Sequence, residues 1–393
     1  MSTRAATGQS ADARTDVAAE EAMRQALAGL AGETPSAAIV FASPKHKLPR
    51  VLAAVDAAVP GIAAIGCTTA GEFTERGVIR GGIVVLLLAT EMVVARGLAT
   101  GAKIDPERAA ALLCEGYADA QKTATSRGFP ASTSVVLVDG LSGSGDRIVQ
   151  AVLRATRAFQ QVVGGAAGDE GQFLATHVGA GGRVTSDGAA ALHFFGPNRW
   201  GVGVDHGLRP DPDRHEVTRA DGNVVLEIDG KPAFELYRAH AKARGVEITP
   251  GTAGPYMIAN ELGLFFLGEL RTARAPLSAD ASGAIHCAAD IPEGTTIAIL
   301  DGEPDEMVAA ARRAAQEAAQ GLGGREAAAV LVFDCVCRAT ILAEQVSREL
   351  DAIRSVFAKT PIAGFFTYGE IARSRGRLDG WHNTTAVVVA IPR

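Results

Sequence analysis

The chain alternates short apolar runs with helical patterns after a polar start. Residues 1–16 are small and polar and carry no hydrophobic pattern, so they are predicted to be disordered. Residues 18–31 show apolar positions at helical spacing. The apolar runs "SAAIVFAS" (36–43) and "IAAIGCT" (62–68) predict buried strands, and "KLPRVLAAVDAAVPG" between them predicts a helix ending at Pro60.

The same order of elements returns twice further along the chain. The segments 134–169 and 327–370 each predict a strand, a helix, a second strand and a glycine-containing turn. The spacing between the three copies is unequal, which argues against a solenoid. The pattern predicts a mixed α/β fold, built from duplicated α/β units whose mixed sheets are flanked by outer helices.

The turns that close these units resemble one another closely. "AIGCTTAGEF" (64–73) and "IAGFFTYGEI" (362–371) share the order Gly–x–x–Thr–x–Gly–Glu, and "GGAAGD" (164–169) is a looser third copy. Glycines let the backbone approach a ligand closely, and N–H groups in such turns can hold a carboxylate. We therefore expect the turns to frame a cleft for a small zwitterion; the alternative is that the glycines make tight corners and the glutamates cap them.

Two further segments carry candidate chemistry. Cys335 follows a buried strand and lies near Arg338, so either a thiol of lowered pKa in an enzyme or a buried inert cysteine fits the pattern. Arg338 itself fits a structural ion pair or a ligand clamp. "DGLSGSGD" (139–146) precedes a helix, where it suits either an anionic ligand or simple capping of the helix by Asp146.

Composition and charge limit the classes of function. The 393 residues allow two domains, with a polar, proline-containing stretch at 209–219 as the expected boundary between 17–215 and 216–393. The net charge of −6 and the lack of a dense Lys/Arg cluster argue against nucleic-acid binding. No apolar run is long enough for membrane insertion. Five cysteines, an odd number in a long chain, favour a reducing, cytoplasmic location.

Eight motifs in series resemble the FIST family. "IVFASPKH", "IGCTTAGEF", "LVDGLSGSGD", "VVGGAAGD" and "SDGAAALHFFG" are similar to its N-terminal domain, and "GNVVLEIDGKPAFELY", "VFDCVCRATIL" and "AGFFTYGEIA" are similar to its C-terminal domain. The resemblance implies an intracellular sensory module for small ligands such as amino acids, which here would signal through a separate partner protein. One departure is Cys335–Val336–Cys337–Arg338, where the family usually has Cys–x–Gly–Arg.

Turns, motifs and resemblance together give one set of predicted site residues. The predicted ligand-binding residues are Gly66, Cys67, Thr68, Gly71, Glu72, Gly165, Asp169, Cys335, Arg338, Thr367, Tyr368, Gly369 and Glu370.

The resemblance also raises a haem alternative. Some free-standing members of the family are haem-dependent nitric-oxide sensors that work beside histidine kinases, so haem and a histidine kinase are the cofactor and partner implied by that alternative. The chain has no Cys–x–x–Cys–His motif for covalent attachment, but a single histidine can ligate haem. The candidate ligands are His193, His177 and His46.

Overall fold

The structure, a computed structural model, describes residues 2–156, 161–373 and 380–393. It confirms the mixed α/β class, with mixed sheets flanked by helices. Three units of the same topology form the body of the molecule, and a β-rich segment at 208–302, called the insertion below, interrupts the third unit. Among the described residues, no helix is both long and apolar enough to cross a membrane.

The first unit spans residues 4–89. It contains β1 (Arg4–Ser10), α1 (Thr15–Gly29), β2 (Ala37–Ala42), α2 (Leu48–Ala58), β3 (Ala63–Thr68), β4 (Glu72–Thr74), β5 (Gly77–Ile79) and β6 (Ile83–Ala89). The second unit spans residues 93–196. It contains β7 (Val93–Thr100), α3 (Pro106–Leu113), α4 (Tyr117–Ser126), β8 (Ala131–Val138), α5 (Gly145–Ala155), β9 (Gln161–Ala166), β10 (Val178–Ala180), β11 (Arg183–Thr185) and β12 (Gly188–Gly196).

The third unit opens with β13 (Gly201–Asp205), after which the insertion begins. The insertion contains β14 (Leu208–Pro210), β15 (His215–Asp221), β16 (Val224–Ile228), β17 (Lys231–Pro232), α6 (Phe234–Ala243), α7 (Gly254–Ala259), β18 (Asn260–Phe266), β19 (Glu269–Arg274), β20 (Pro276–Ala279), β21 (Ile285–Cys287) and β22 (Thr296–Gly302). The third unit then resumes with α8 (Pro304–Gly321), β23 (Ala327–Cys335), α9 (Val336–Leu342), a 3-10 turn (Ala343–Gln345), α10 (Ser347–Val356), β24 (Ile362–Thr367), β25 (Glu370–Arg373), β26 (Trp381–His382) and β27 (Ala386–Pro392).

The three units exchange strands in a cycle. In each unit two parallel strands form the centre of a sheet, and the strand after the glycine-containing turn leaves for the sheet of another unit. Strand β4 of unit one pairs with β24 of unit three, β25 of unit three pairs with β9 of unit two, and β10 of unit two pairs with β3 of unit one. The turn recurs because each copy carries its chain from one sheet to the next.

Residues 4–10 form a strand and a helix begins at Thr15, so the prediction of disorder over 1–16 is wrong for the described part of that segment. Residues 4–10 form β1, which pairs antiparallel with β6 from Arg4↔Ala89 to Ser10↔Ile83. The segment shows little hydrophobic pattern because small residues suffice there: α1 packs closely over it, and Thr7 donates to Glu75 at 2.8 Å. Pairing with a wholly buried strand, rather than side-chain hydrophobicity, stabilises β1.

The hydrophobic core is continuous across the three units. Phe41, Phe333 and Phe365 come from units one and three, and their rings meet at centroid distances of 4.7–6.3 Å. Such aromatic contacts stabilise beyond the area they bury. The units therefore share one core, while the insertion has a separate one that includes Tyr237, Met257 and Ile299.

Candidate functional site

A cavity of about 430 Å³ lies where the body meets the insertion, and is called the junction cavity below. The body supplies residues within 139–147 and 335–340, together with Tyr368, Trp381 and Asn383. The insertion supplies Asn223, Ile258, Ala275, Leu277 and residues 287–290. The wall is mainly apolar with a few convergent polar groups, which is typical of small-molecule sites.

Trp381 forms one side of the cavity and is held in place by two glycines. A Cβ atom built on Gly145 or on Gly369 would lie 2.3 Å from the Trp381 ring, so both positions require glycine for this packing. Gly369 belongs to the glycine turn at 364–370, and Gly145 begins α5. The turn and the helix together therefore set the position of the indole.

Two polar atoms of the cavity wall have no hydrogen-bond partner among the residues that the structure describes. They are Nε1 of Trp381 and Oδ1 of Asn383, in side chains whose residues are 6% and 1% exposed. An unpaired buried donor or acceptor costs about 1–3 kcal/mol, and most such groups in native proteins are satisfied. A donor and an acceptor left open beside the same cavity are what a bound polar ligand would satisfy.

The loop 139–146 places the start of α5 at the cavity. Hydroxyls within the loop hold its shape: Ser142 Oγ lies 2.8 Å from Ser144 Oγ and donates to the carbonyl of Asp139 at 3.1 Å. The N-cap residue Ser144 makes no side-chain capping bond to the helix. The first turn of α5 and Arg147 can receive an anionic group, with Asp146 of the same turn as a competing acid in the cavity wall.

Tyr368, in the glycine turn at 364–370, contacts the segment that follows the glycine turn at 164–169. Its hydroxyl donates to Asp169 and accepts from the Gly171 N–H at 2.9 Å, and its ring stacks on Phe173 at 4.7 Å. Burial would raise the pKa of Asp169, but hydrogen bonds from Tyr368 and from three backbone N–H groups hold this pKa below its usual value. The charged carboxylate thus fixes the 169–175 loop that borders the cavity.

The two turn glutamates lie outside the junction cavity. Thr69 donates to one oxygen of Glu72, and the Gly82 N–H donates to the other at 3.2 Å. Glu370 is held in the same way: Thr367 donates to one oxygen, and the N–H and hydroxyl of Thr385 donate to the other at 3.0 and 2.9 Å. Both carboxyl groups are fully buried and accept hydrogen bonds that stabilise their own turns. This is the capping role that the sequence left open as the alternative to ligand binding.

Arg338 also lies outside the cavity and binds protein groups instead. It is fully buried, its Nε donates to Glu349 at 3.0 Å, and its Nη atoms donate to the carbonyls of His206 at 2.6 Å and Met307 at 2.8 Å.

Cys335 does line the cavity, but burial and the adjacent Cys337 raise the pKa of its thiol well above the usual range. These contacts favour the structural ion pair for Arg338 and a neutral thiol for Cys335.

The remaining predicted residues fall into two groups. Thr68 and Asp169 line a separate pocket of about 530 Å³ with His46 and His177. The others pack in turns or core and line neither of these cavities; they are Gly66, Cys67, Gly71, Gly165, Thr367 and Gly369. Of the thirteen predicted ligand residues, Cys335 and Tyr368 are therefore the two that meet in the junction cavity.

An axial haem ligand needs a ring nitrogen that is free to bind iron. His193 is fully buried with its nitrogens 2.6 Å from Ser134 Oγ and 3.0 Å from the Leu113 carbonyl. His46 contacts Thr15 and the Gly81 carbonyl with its two nitrogens. Both ring nitrogens of His193 and of His46 thus have polar neighbours in the protein. Haem binding through His193, His177 or His46 stays a prediction.

The part of the junction-cavity wall that comes from the insertion, Trp381 and Asn383 is absent from the residues predicted from the sequence. The insertion residues follow no repeated turn, so no spacing linked them to the site. Trp381, one of two tryptophans in the chain, follows the third turn by about ten residues and gave the only local signal.

Three α/β units that exchange strands, together with the inserted β-rich segment, form a mixed α/β protein. The internal cavity where the units meet the insertion has a size that suits a small molecule. The chain belongs to the FIST family: residues 36–231 match the FIST N domain and residues 233–373 match the FIST C domain. FIST domains are associated with sensory roles in signal transduction.

One similar protein matches nearly the whole chain, and two others match about half of it. The chain is 26% identical over 387 residues to "Uncharacterized protein Rv0628c" of Mycobacterium tuberculosis, covering 94% of each protein. It is 27% identical over 199 residues to "Uncharacterized protein MJ1623" of Methanocaldococcus jannaschii, covering 49% of this chain and 38% of that protein. A third relative, "Uncharacterized protein Mb0898c" of Mycobacterium bovis, is 27% identical over 188 residues, or 47% of this chain and 48% of that protein.

Proposed function

We propose that this protein is a sensor whose small-molecule ligand binds in the junction cavity. The observation that carries the proposal is the pair of unpaired buried atoms, Trp381 Nε1 and Asn383 Oδ1, in an otherwise mainly apolar wall. The cavity volume of about 430 Å³ lies within the roughly 300–1,000 Å³ usual for small-ligand sites. The family's sensory role in signal transduction supports the same function.

The wall chemistry favours a small apolar amino acid or a related carboxylate. The first turn of α5 and Arg147 offer donors and positive charge to a carboxylate. Asn383 Oδ1 can accept from an amino group, and Leu141, Ile258 and Leu277 can contact an apolar side chain. Each of these groups recognises a different part of the same molecule.

The cavity's position supports a way of passing the signal on. Its wall comes partly from the body and partly from the insertion, so a bound ligand would contact both parts and favour arrangements in which both fit it. The proposal includes a separate partner, such as a histidine kinase, that responds to this change. It also includes a cytoplasmic location, which the five free thiols of the chain support.

Replacing Trp381 with phenylalanine is expected to weaken binding of the ligand about three- to tenfold while leaving the protein folded. The substitution keeps an aromatic ring between the two glycines and removes one hydrogen-bond donor, whose net contribution is about 0.5–1.5 kcal/mol. Titration calorimetry with leucine, phenylalanine and their deaminated acids measures the effect. Saturation at roughly 100 times the Kd should also raise the free energy of unfolding by about 2.7 kcal/mol.

Trp200→Phe is the matched control, because this second tryptophan is equally buried and does not line the cavity. Asn383→Ala should weaken binding as well, with a larger effect on ligands that carry an amino group. Equal affinity in wild type, Trp381→Phe and Asn383→Ala would place the ligand elsewhere. A panel in which no compound binds would reject the proposed ligand class.

A further inference from the structure

A second polar cluster lies at the base of the insertion, away from the junction cavity. Asp211 follows β14, where the chain enters the insertion, and Asp301 lies in β22, where the chain leaves it. The two strands pair antiparallel, with Arg209 opposite Asp301. His240, on α6, packs over them and is 9% exposed.

Three donor atoms of this cluster face a common point. His240 Nε2 lies 3.2 Å from Asp211 Oδ2 and 3.9 Å from Asp301 Oδ1, and all three atoms lie within 4.8 Å of one another. Donors bound to one ion at about 2.0–2.2 Å are separated from each other by roughly 3–3.5 Å, so small side-chain adjustments would bring all three into coordination.

The imidazole nitrogen is open for such a contact. Asp211 Oδ2 lies 3.2 Å away, but Nε2 has no assigned hydrogen-bond partner among the residues that the structure describes. The other ring nitrogen, Nδ1, lies 2.8 Å from the hydroxyl of Tyr256. If Nδ1–H donates to that hydroxyl, the ring is fixed in the tautomer that leaves the Nε2 lone pair toward the two carboxylates, as second-shell partners of metal-bound histidines do.

Arg244 also contacts both carboxylates, but through their other oxygens. Its Nη2 lies 2.7 Å from Asp301 Oδ2 and 3.5 Å from Asp211 Oδ1. The second oxygen of each carboxylate, Asp301 Oδ1 and Asp211 Oδ2, is the one near His240.

We infer that Asp211, His240 and Asp301 form a binding site for a divalent first-row transition cation, completed by water. One imidazole with two carboxylates suits Zn²⁺ or Mn²⁺, whereas Mg²⁺ and Ca²⁺ prefer all-oxygen sites. The ion would join the entry strand, the exit strand and α6, and so would fix the insertion at its base. The site is independent of the ligand proposed for the junction cavity.

The test uses the full chain, treated with a chelator and then titrated with Zn²⁺, Mn²⁺ or Mg²⁺ in a calorimeter. We expect one equivalent of Zn²⁺ or Mn²⁺ to bind, with Mg²⁺ at least tenfold weaker. His240→Gln and Asp301→Asn should each weaken Zn²⁺ and Mn²⁺ binding at least tenfold. Far-UV circular dichroism checks that each variant is folded, and a visible Co²⁺ spectrum that is lost in Asp301→Asn gives a readout independent of stability.

Two controls separate this site from other binders. His286→Gln removes the half-buried histidine that pairs with Asp280 in the same insertion, and should leave affinity unchanged. Arg244→Gln removes the competing cation, so metal should bind as tightly as in wild type or more tightly. Absence of stoichiometric binding in both wild type and Arg244→Gln would overturn the inference and leave an ion-pair cluster. Binding that persists in both His240→Gln and Asp301→Asn would also overturn it, by placing the metal at other groups such as the thiols.

Discussion

Replacing Arg338 with methionine is expected to lower the free energy of unfolding by about 3–5 kcal/mol, the usual cost of breaking a buried ion pair from one side. The guanidinium is fully buried and ties four segments of the third unit together. It donates to Glu349 on α10, to the Met307 carbonyl on α8, and to the carbonyls of His206 and Thr384. The substitution would leave an uncompensated carboxylate and three carbonyls without this donor.

The charge balance around Arg338 explains why the loss is large. Asp334 lies 3.2 Å from Arg338 Nε, but burial and the neighbouring Glu349 carboxylate raise the pKa of Asp334 well above its usual value. Two buried carboxyl groups, Asp334 and Glu349, therefore share the single guanidinium of Arg338. Removing the arginine leaves both buried carboxyl groups with no cation among their described contacts.

Urea denaturation of wild type and Arg338→Met measures the change. Arg354→Ala serves as the control, since Arg354 and Asp351 form an exposed pair whose loss should cost at most about 1 kcal/mol. The double variant Arg338→Met with Glu349→Leu removes both charges and should recover part of the loss. A destabilisation by Arg338→Met no larger than that by Arg354→Ala would contradict the structural role and return the ligand clamp to consideration.

The repeated order of elements could be predicted because it depends on local pattern. Buried strands such as 37–42 and 362–367 are continuous apolar runs, and each ends at a turn in which glycine is frequent. The exchange of strands between units could not be predicted in this way. The pairing of β4 with β24 joins residues almost three hundred positions apart, and nothing in either short segment specifies the other.

The candidate site shows the same division between local and non-local information. The glycines and serines of the loop 139–146 predict an anion-binding segment, and the loop does line the junction cavity. The sequence also predicts a ligand at the turn glutamates, because a carboxylate beside exposed N–H groups suits a zwitterion. In the structure those N–H groups come from Gly82 and Thr385 of the same units, and they satisfy the glutamates internally.

Replacing Glu72 with glutamine is expected to make the protein more stable than wild type at pH 8, by an amount on the order of 3 kcal/mol, and to have little effect at pH 5. Burial raises the pKa of Glu72 from 4.5 to about 8, and that of Glu370 from 4.5 to about 7. The folded protein therefore retains protons that the unfolded chain releases above about pH 4.5. The stability from each neutral carboxyl group is complete below that pH and is lost as pH rises through the folded-state pKa.

Glutamine resembles the protonated acid, since its amide can donate to Thr69 while its oxygen accepts from the Gly82 N–H. Denaturation of wild type and Glu72→Gln between pH 5 and pH 8.5 tests this, and taking the difference between the two proteins cancels the titration of other groups. Glu72→Ala leaves both turn donors unpaired and should destabilise the protein at every pH. A difference between wild type and Glu72→Gln that stays constant with pH would contradict the raised pKa. Loss of ligand binding in a stable Glu72→Gln protein would instead make the glutamate a ligand group.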